Sequence, residues 1–374
     1  MTTIDTIRPY YDEEVNAALK EYARHPMIGA LLQFTFPDKS VSEINAILDN
    51  CHSIRDFQSK VVYHSIQQVL ERSSEGFTTE GFEQLDPDTS YLFISNHRDI
   101  ILDTSLLNVA LYDHGLIMTA SAIGDNLVKK SFLLALSKLN RNFLIRRGLS
   151  AREMLQSSRL VSDYIRRLII EENRSVWIAQ REGRTKDGDD RTQQGVLKMI
   201  AMAREKQELI PYMKKLKIVP VSISYEFDPT DVLKMPELMA KHYDQEYVKS
   251  GNEDFNSILK GVTGQKKRIH IAASAPLDDA LDQIAACGES GNRQFQLLTE
   301  LIDAEILKTY KLWPSNYIAW DLLNKSDRFK EQYTDKEKRQ FERRITRRIC
   351  EDDPVEVENF LKMYANPVIN KLSS

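Results

Sequence analysis

Asn96-His97-Arg98-Asp99, with Asp103 close behind, has the residue types and spacing that proton transfer requires. An unperturbed histidine ionises near pH ~6.5, so at neutral pH it can take a proton from a hydroxyl and later return it. A carboxylate on the other ring nitrogen fixes the tautomer and stabilises the imidazolium as it forms, as in a catalytic triad without its serine. Asp103 and Asp99 compete for that task. Six residues along an α-helix turn through about 600°, so His97 and Asp103 meet only if His97 stands on the turn ahead of the helix. Asp99 lies two residues from His97, where it also suits an ordinary helix N-cap. A capped surface turn would look the same, so the assignment needs support from elsewhere in the chain.

The flanking elements place this cluster where ligands bind. Tyr91–Ser95 reads as a buried strand and Ile100–Leu111 as an amphipathic helix, which puts the polar residues on a strand-to-helix turn. In open α/β sheets, chemistry gathers at the carboxyl ends of the strands. Further strands are predicted at Phe77–Phe82, Leu116–Ala120, Phe143–Arg146, Val176–Gln180, Ile218–Tyr225 and Lys267–Ala273, with helical segments between most of them. The fold class expected is α/β, a sheet with helices on its faces, over residues 77–276. Residues 1–76 and 277–374 read as helical additions. Capping boxes open helices at Ser40…Glu43, Ser150…Glu153 and Thr334…Glu337. The last of these helices carries Phe341, Ile345 and Ile349 on one face. Lys336, Lys338, Arg339, Arg343, Arg344, Arg347 and Arg348 make its remaining surface basic, a pattern that suits either an anionic membrane or a solvated face.

Composition removes several function classes. With 51 basic and 55 acidic residues the net charge is −4, so no global field recruits nucleic acid. Cys51, Cys287 and Cys350 stand alone, which suits a reducing compartment and excludes a cysteine-based zinc site. No metal is expected. The first residues lack a signal-peptide pattern, and no apolar run approaches the ~20 residues of a membrane span. The expected location is cytoplasmic, with peripheral contact at the inner face of a membrane.

Three later stretches raise the odds for chemistry at His97. They are Asn142-Phe143-Leu144-Ile145-Arg146-Arg147, Arg181-Glu182-Gly183-Arg184-Thr185-Lys186-Asp187-Gly188, and Ile218-Val219-Pro220-Val221-Ser222-Ile223. Together with Asn96-His97…Asp103, in this order, they resemble the glycerolipid acyltransferase superfamily. Ala122–Leu127 and Ser224-Tyr225-Glu226 add a likeness to its glycerol-3-phosphate branch. Three details depart from the family pattern. Asp103 stands one residue late, Arg141 replaces the glycine that usually opens the second block, and the third block is one residue short.

The resemblance implies a mixed sheet flanked by helices and a fatty acyl transfer from acyl-CoA or acyl-carrier protein, used as co-substrate with no cofactor. The acceptor implied is a hydroxyl of glycerol 3-phosphate or a lysophospholipid. It also implies that His97 is the base, that Asp103 orients it in preference to Asp99, because the apolar helix after Asp103 continues as in the family, and that Arg147 and Arg184 anchor the acceptor phosphate, with Arg146 and Lys186 beside them. Glu182 and Gly183 would position that loop. Physical chemistry agrees: bidentate arginine is the best phosphate fork available, and direct attack by the acceptor needs no nucleophilic serine. Pro220, inside an apolar run, implies an edge strand or a strand end that lines the cleft. Acylation of another polar lipid or an amine, thioester hydrolysis, and lipid binding without catalysis are the alternatives.

Overall fold

The computed structural model describes residues 3–373. Its amino-terminal part is helical: α1 (Asp12–Tyr22), α2 (Pro26–Thr35), α3 (Val41–Asp49), α4 (Ile54–Phe57) and α5 (Tyr63–Ser73). The expected box at Ser40 is formed, with Glu43 bonding back to the Ser40 N–H at 2.8 Å. Pro26 occupies the first turn of α2, where its missing N–H costs nothing. The apolar faces of these helices close over Val15, Leu32, Leu48, Ile54, Phe57 and Val61, together with Phe132 and Leu139 of α7 (Ser131–Leu139), which follows α6 (Leu102–Asp113).

Seven strands form one sheet: β1 (Ser74–Glu80), β2 (Leu92–Ser95), β3 (Ala120–Gly124), β4 (Asn142–Ile145), β5 (Val176–Ala179), β6 (Ile218–Tyr225) and β7 (Lys267–Ala273). Their order is β1-β7-β6-β2-β5-β3-β4. β6, β2, β5, β3 and β4 are parallel, and the sheet is mixed because β7 runs antiparallel to β6. Both faces are covered, so the central strands read as unbroken apolar runs. Leu92, Ile94, Val176 and Ile178 point into one core. Phe93, Trp177, Val219 and Val221 point into the other.

α8 (Ala151–Arg166), α9 (Gln194–Ile200), α10 (Leu209–Lys215), α13 (Asp278–Ala286) and α14 (Asn292–Thr309) line the first face. Between them in sequence come α11 (Asp231–His242) and α12 (Glu253–Thr263). α15 (Pro314–Asn324), α16 (Asp335–Arg348) and α17 (Pro354–Ser373) complete the chain and build a separate core with α11 around Ile318, Phe341, Phe360 and Tyr364.

Several sequence expectations are corrected. The third strand begins at Ala120, not Leu116, because the Thr119 N–H is taken by the Asn108 side chain at 2.7 Å and the ladder starts only with Ala120 bonding Ser175. The first strand ends at Glu80, since Gly81 turns left-handed (φ 81°) and passes so close to the Ala273 carbonyl that a side chain there would clash. The helix after His97 is not amphipathic: every residue from Leu102 to Leu111 is buried. Pro220 lies on a central strand, beside Ile94 of β2. Its missing N–H faces Ser274, just past the end of β7, and its carbonyl accepts from the Ser274 N–H at 2.9 Å. A proline is tolerated there because the ladder stops on that side only. Finally, Arg344 is not on the surface of its basic helix. It turns inward to Asp231 at 2.7 Å.

Candidate active site

The parallel strands deliver their carboxyl ends to one rim, and each motif sits just beyond one of them. His97 follows β2, Arg147 follows β4, the Arg181–Gly188 loop follows β5, and Tyr225 ends β6. His97 stands on the turn before α6, which frees it from helical geometry. Its Nδ1 lies 2.8 Å from Asp103 Oδ2. The same oxygen accepts the N–H groups of Arg98 at 2.6 Å and Asp99 at 3.0 Å. Three donors on one oxygen make it an acceptor, so the hydrogen of this contact belongs to Nδ1 and the lone pair to Nε2. Among the described residues no group bonds Nε2. The ring packs edge-on against Trp177, centroids 5.6 Å apart, and the His97 side chain keeps 14% exposure.

Asp103 itself is fully buried and held from the other side. The Tyr225 hydroxyl donates to its Oδ1 at 2.8 Å. Burial and the adjoining Asp103 carboxylate push the Tyr225 phenol well above its ordinary value, so it stays a donor. Asp99, the competing orienter, is placed otherwise. Its Oδ1 accepts the N–H groups of Ile101 and Leu102 at 3.0 and 2.9 Å, so it caps the start of α6. Burial, and then Asp103, raise its carboxyl above the usual range.

The turn is clamped by its neighbours. Asn96 exchanges two hydrogen bonds with the Ile223 backbone, at 2.9 and 2.8 Å, and so fixes β2 to β6 at the point where His97 begins. The His97 carbonyl accepts from the Thr185 N–H at 2.9 Å, which lays the Glu-Gly-Arg loop directly against the histidine turn. Arg98 reaches Asp190 of that loop at 2.5 Å. Asp190 also accepts from the Thr185 hydroxyl.

The arginines differ in their state. Arg147 is ion-paired with Glu182, which joins the second motif to the third, and its backbone N–H bonds Asp125 at 3.1 Å. Glu182 is 68% exposed and adjoins Gly183, whose φ of 71° needs the freedom of glycine. Arg184 is buried, and its Nη1 has no partner among the described residues. Such a donor is costly unless a ligand meets it. Lys186 is engaged by Glu237 at 3.1 Å, and burial holds its amine below the ordinary lysine range. Arg146 is partly buried beside Arg147, and Pro220 is fully covered by the sheet.

The sequence brings forward His97, Asp103 and the arginines; of the groups that brace them, Asn96, Arg98 and Tyr225 lie inside the motifs without a bracing role being legible, and Trp177 and Asp190 carry no local pattern of their own. Among the described residues no group of histidine, cysteine and carboxylate side chains suits a metal ion. A histidine with one nitrogen anchored and one open, beside a loop with an unsatisfied buried guanidinium, can remove a proton from an acceptor that carries an anionic group.

Residues 76–224 match the acyltransferase family. The solved structure of the 1-acyl-sn-glycerophosphate (LPA) acyltransferase PlsC from Thermotoga maritima is similar at 14% identity and a TM-score of 0.41, with 79% of this chain and 96% of that chain covered. No curated protein matches the sequence.

Proposed function

We propose that this chain, whose residues 76–224 match the acyltransferase family, moves a fatty acyl group from a thioester to a hydroxyl of glycerol 3-phosphate or a lysophospholipid. The observation that carries this reading is the 2.8 Å contact of His97 Nδ1 with a buried, four-fold hydrogen-bonded Asp103, with Nε2 left open and the loop that carries Arg184 bonded to the His97 carbonyl through Thr185. Nε2 takes the acceptor's hydroxyl proton while that oxygen attacks the thioester carbonyl. The tetrahedral intermediate collapses, the C–S bond breaks, and the thiolate recovers the proton from the imidazolium. Asp103 stabilises that imidazolium without taking its proton.

Arg184 and Arg147 hold the acceptor phosphate in this scheme, and Glu182 keeps Arg147 positioned until the acceptor arrives. The donor is acyl-CoA or acyl-carrier protein. Among the described residues no helix is long and apolar enough to cross a membrane. The membrane contact we propose is peripheral, at the cytoplasmic face. It is supported by Met154 and Leu155, exposed by 56% and 63% on the first turns of α8, shortly after Arg146 and Arg147.

The test is thiol release from palmitoyl-CoA and palmitoyl-carrier protein with glycerol 3-phosphate, lysophosphatidic acid or no acceptor. Release that requires one of the two acceptors supports the proposal and selects between them. Release without any acceptor would instead make the protein a thioesterase.

Tyr225→Phe gives a finer check of the same geometry. Removing one hydrogen bond to a charged group costs about 1.5–3 kcal/mol. With its brace gone but the dyad intact, kcat is expected to fall at least about tenfold, with KM for the acceptor little changed. An unchanged kcat would show that Asp103 needs no support from β6.

A further inference from the structure

At the opposite rim of the sheet, where β3, β4 and β5 begin, lies a cleft of about 560 Å³, within the range of ~300–1,000 Å³ typical of small-molecule sites. It belongs to neither the His97 turn nor the Glu-Gly-Arg loop. Arg141, just before β4, and Arg174, just before β5, line it together with an apolar wall of Tyr112, Leu116 and Met118. Exposed Asp12, Arg55 and Asp88 also line it, so the amino-terminal helices contribute two of its charges.

The two inner guanidiniums are unusual. Neither forms a side-chain hydrogen bond or ion pair with any described residue, and Arg141 Nε is buried without a partner. Asp12 is the carboxylate that favours both charges most, but its Oδ1 is occupied by the Ile54 N–H at 2.9 Å. Burial, and then repulsion from Arg174, push Arg141 down to about 10, and burial lowers Arg174 as well. Both still carry their charge at neutral pH. Arg141 also holds a φ of 58°, a left-handed conformation that favours glycine. The fold thus keeps two mutually repelling, half-buried cations against an open cleft, with neither guanidinium hydrogen-bonded to an acceptor among the described residues.

We propose that this cleft binds a small phosphorylated molecule, its oxyanion held between Arg141 and Arg174 and its apolar body against Tyr112, Leu116 and Met118. A guanidinium fork matches a phosphate in two directions, and a doubly negative group would neutralise both arginines at once.

Isothermal titration of the full chain in low-salt buffer, with inorganic phosphate and with phenyl phosphate, tests this. Four proteins are compared: wild type, Arg147→Gln at the catalytic rim, Arg141→Gly and Arg174→Gln. Glycine at 141 removes the guanidinium while suiting the backbone, so that variant is expected to fold. Arg147→Gln removes a phosphate ligand of the catalytic rim and should keep the binding that belongs to the cleft, with phenyl phosphate tighter than inorganic phosphate, whereas each cleft variant should bind at the cleft about tenfold more weakly or worse. No binding by wild type would overturn the proposal. So would undiminished binding by both cleft variants, or loss confined to Arg147→Gln, which would assign the anion to the catalytic rim.

Discussion

Replacing His97 by alanine is expected to lower acceptor-dependent thiol release by about a thousandfold, the middle of the ~10²–10⁴ range that a positioned general base contributes. Asp103→Asn should cost a similar factor for a different reason. Asp103 Oδ2 accepts from His97 Nδ1 and two backbone N–H groups, while Oδ1 accepts from Tyr225. An amide can keep its oxygen towards the three N–H donors and turn its NH₂ to the tyrosine oxygen, so the fold survives. The imidazolium then loses its counter-charge. Because the two residues act as a unit, the double variant should be little worse than either single one. Steady-state kinetics with saturating acceptor would measure all three. Full activity in His97→Ala would remove His97 from the mechanism altogether.

The second large effect is on stability. Arg98→Met is expected to cost about 3–5 kcal/mol, because it strands the buried Asp190 carboxylate without its cation. The partner that remains to Asp190 is the Thr185 hydroxyl, and one neutral hydrogen bond does not compensate a buried charge. Burial disfavours the Arg98 charge, but Asp190, Tyr310, Asp228 and Asp103 together more than offset this and raise its pKa above the ordinary arginine value. Urea denaturation followed by tryptophan fluorescence would read the loss. A cost under about 1 kcal/mol would mean that the pair behaves as a solvated surface bridge.

Much of the site could be read from residue order because its parts follow strand ends, and strand ends are marked by local chemistry. Asn96-His97, Arg146-Arg147 and Glu182-Gly183-Arg184 each close an apolar run, and the structure brings all three to one rim. The choice between Asp103 and Asp99 was not readable from the spacing alone. It depends on how the turn from His97 to Ile101 folds, and there the backbone N–H groups of Arg98 and Asp99 converge on Asp103. Tyr225 was quoted only as part of a motif, because its contact with Asp103 spans 122 residues and leaves no periodic trace. The start of β3 was misplaced for the same kind of reason: a side chain, Asn108, takes the N–H that would have extended the ladder. Pro220 misled because the rule against proline in central strands counts both edges, whereas here one neighbouring strand stops beside it.

The C-terminal helices reach back to the loop that carries Arg184. Asn366 donates to the Asp187 carbonyl at 2.7 Å, and Arg191 donates to Asn370 at 3.1 Å, each contact spanning 179 residues. Tyr310 lies against Arg98 from α14's end, its hydroxyl 3.4 Å from the guanidinium. On the ribosome, the histidine and its aspartate emerge close together, but the loop beside them waits for the braces of α17, made 179 residues later. Contacts of such long range form late and slowly. A nascent chain would therefore hold its proton-transfer pair well before it holds a settled acceptor pocket, and the order of synthesis itself would delay the onset of acceptor binding until α17 docks.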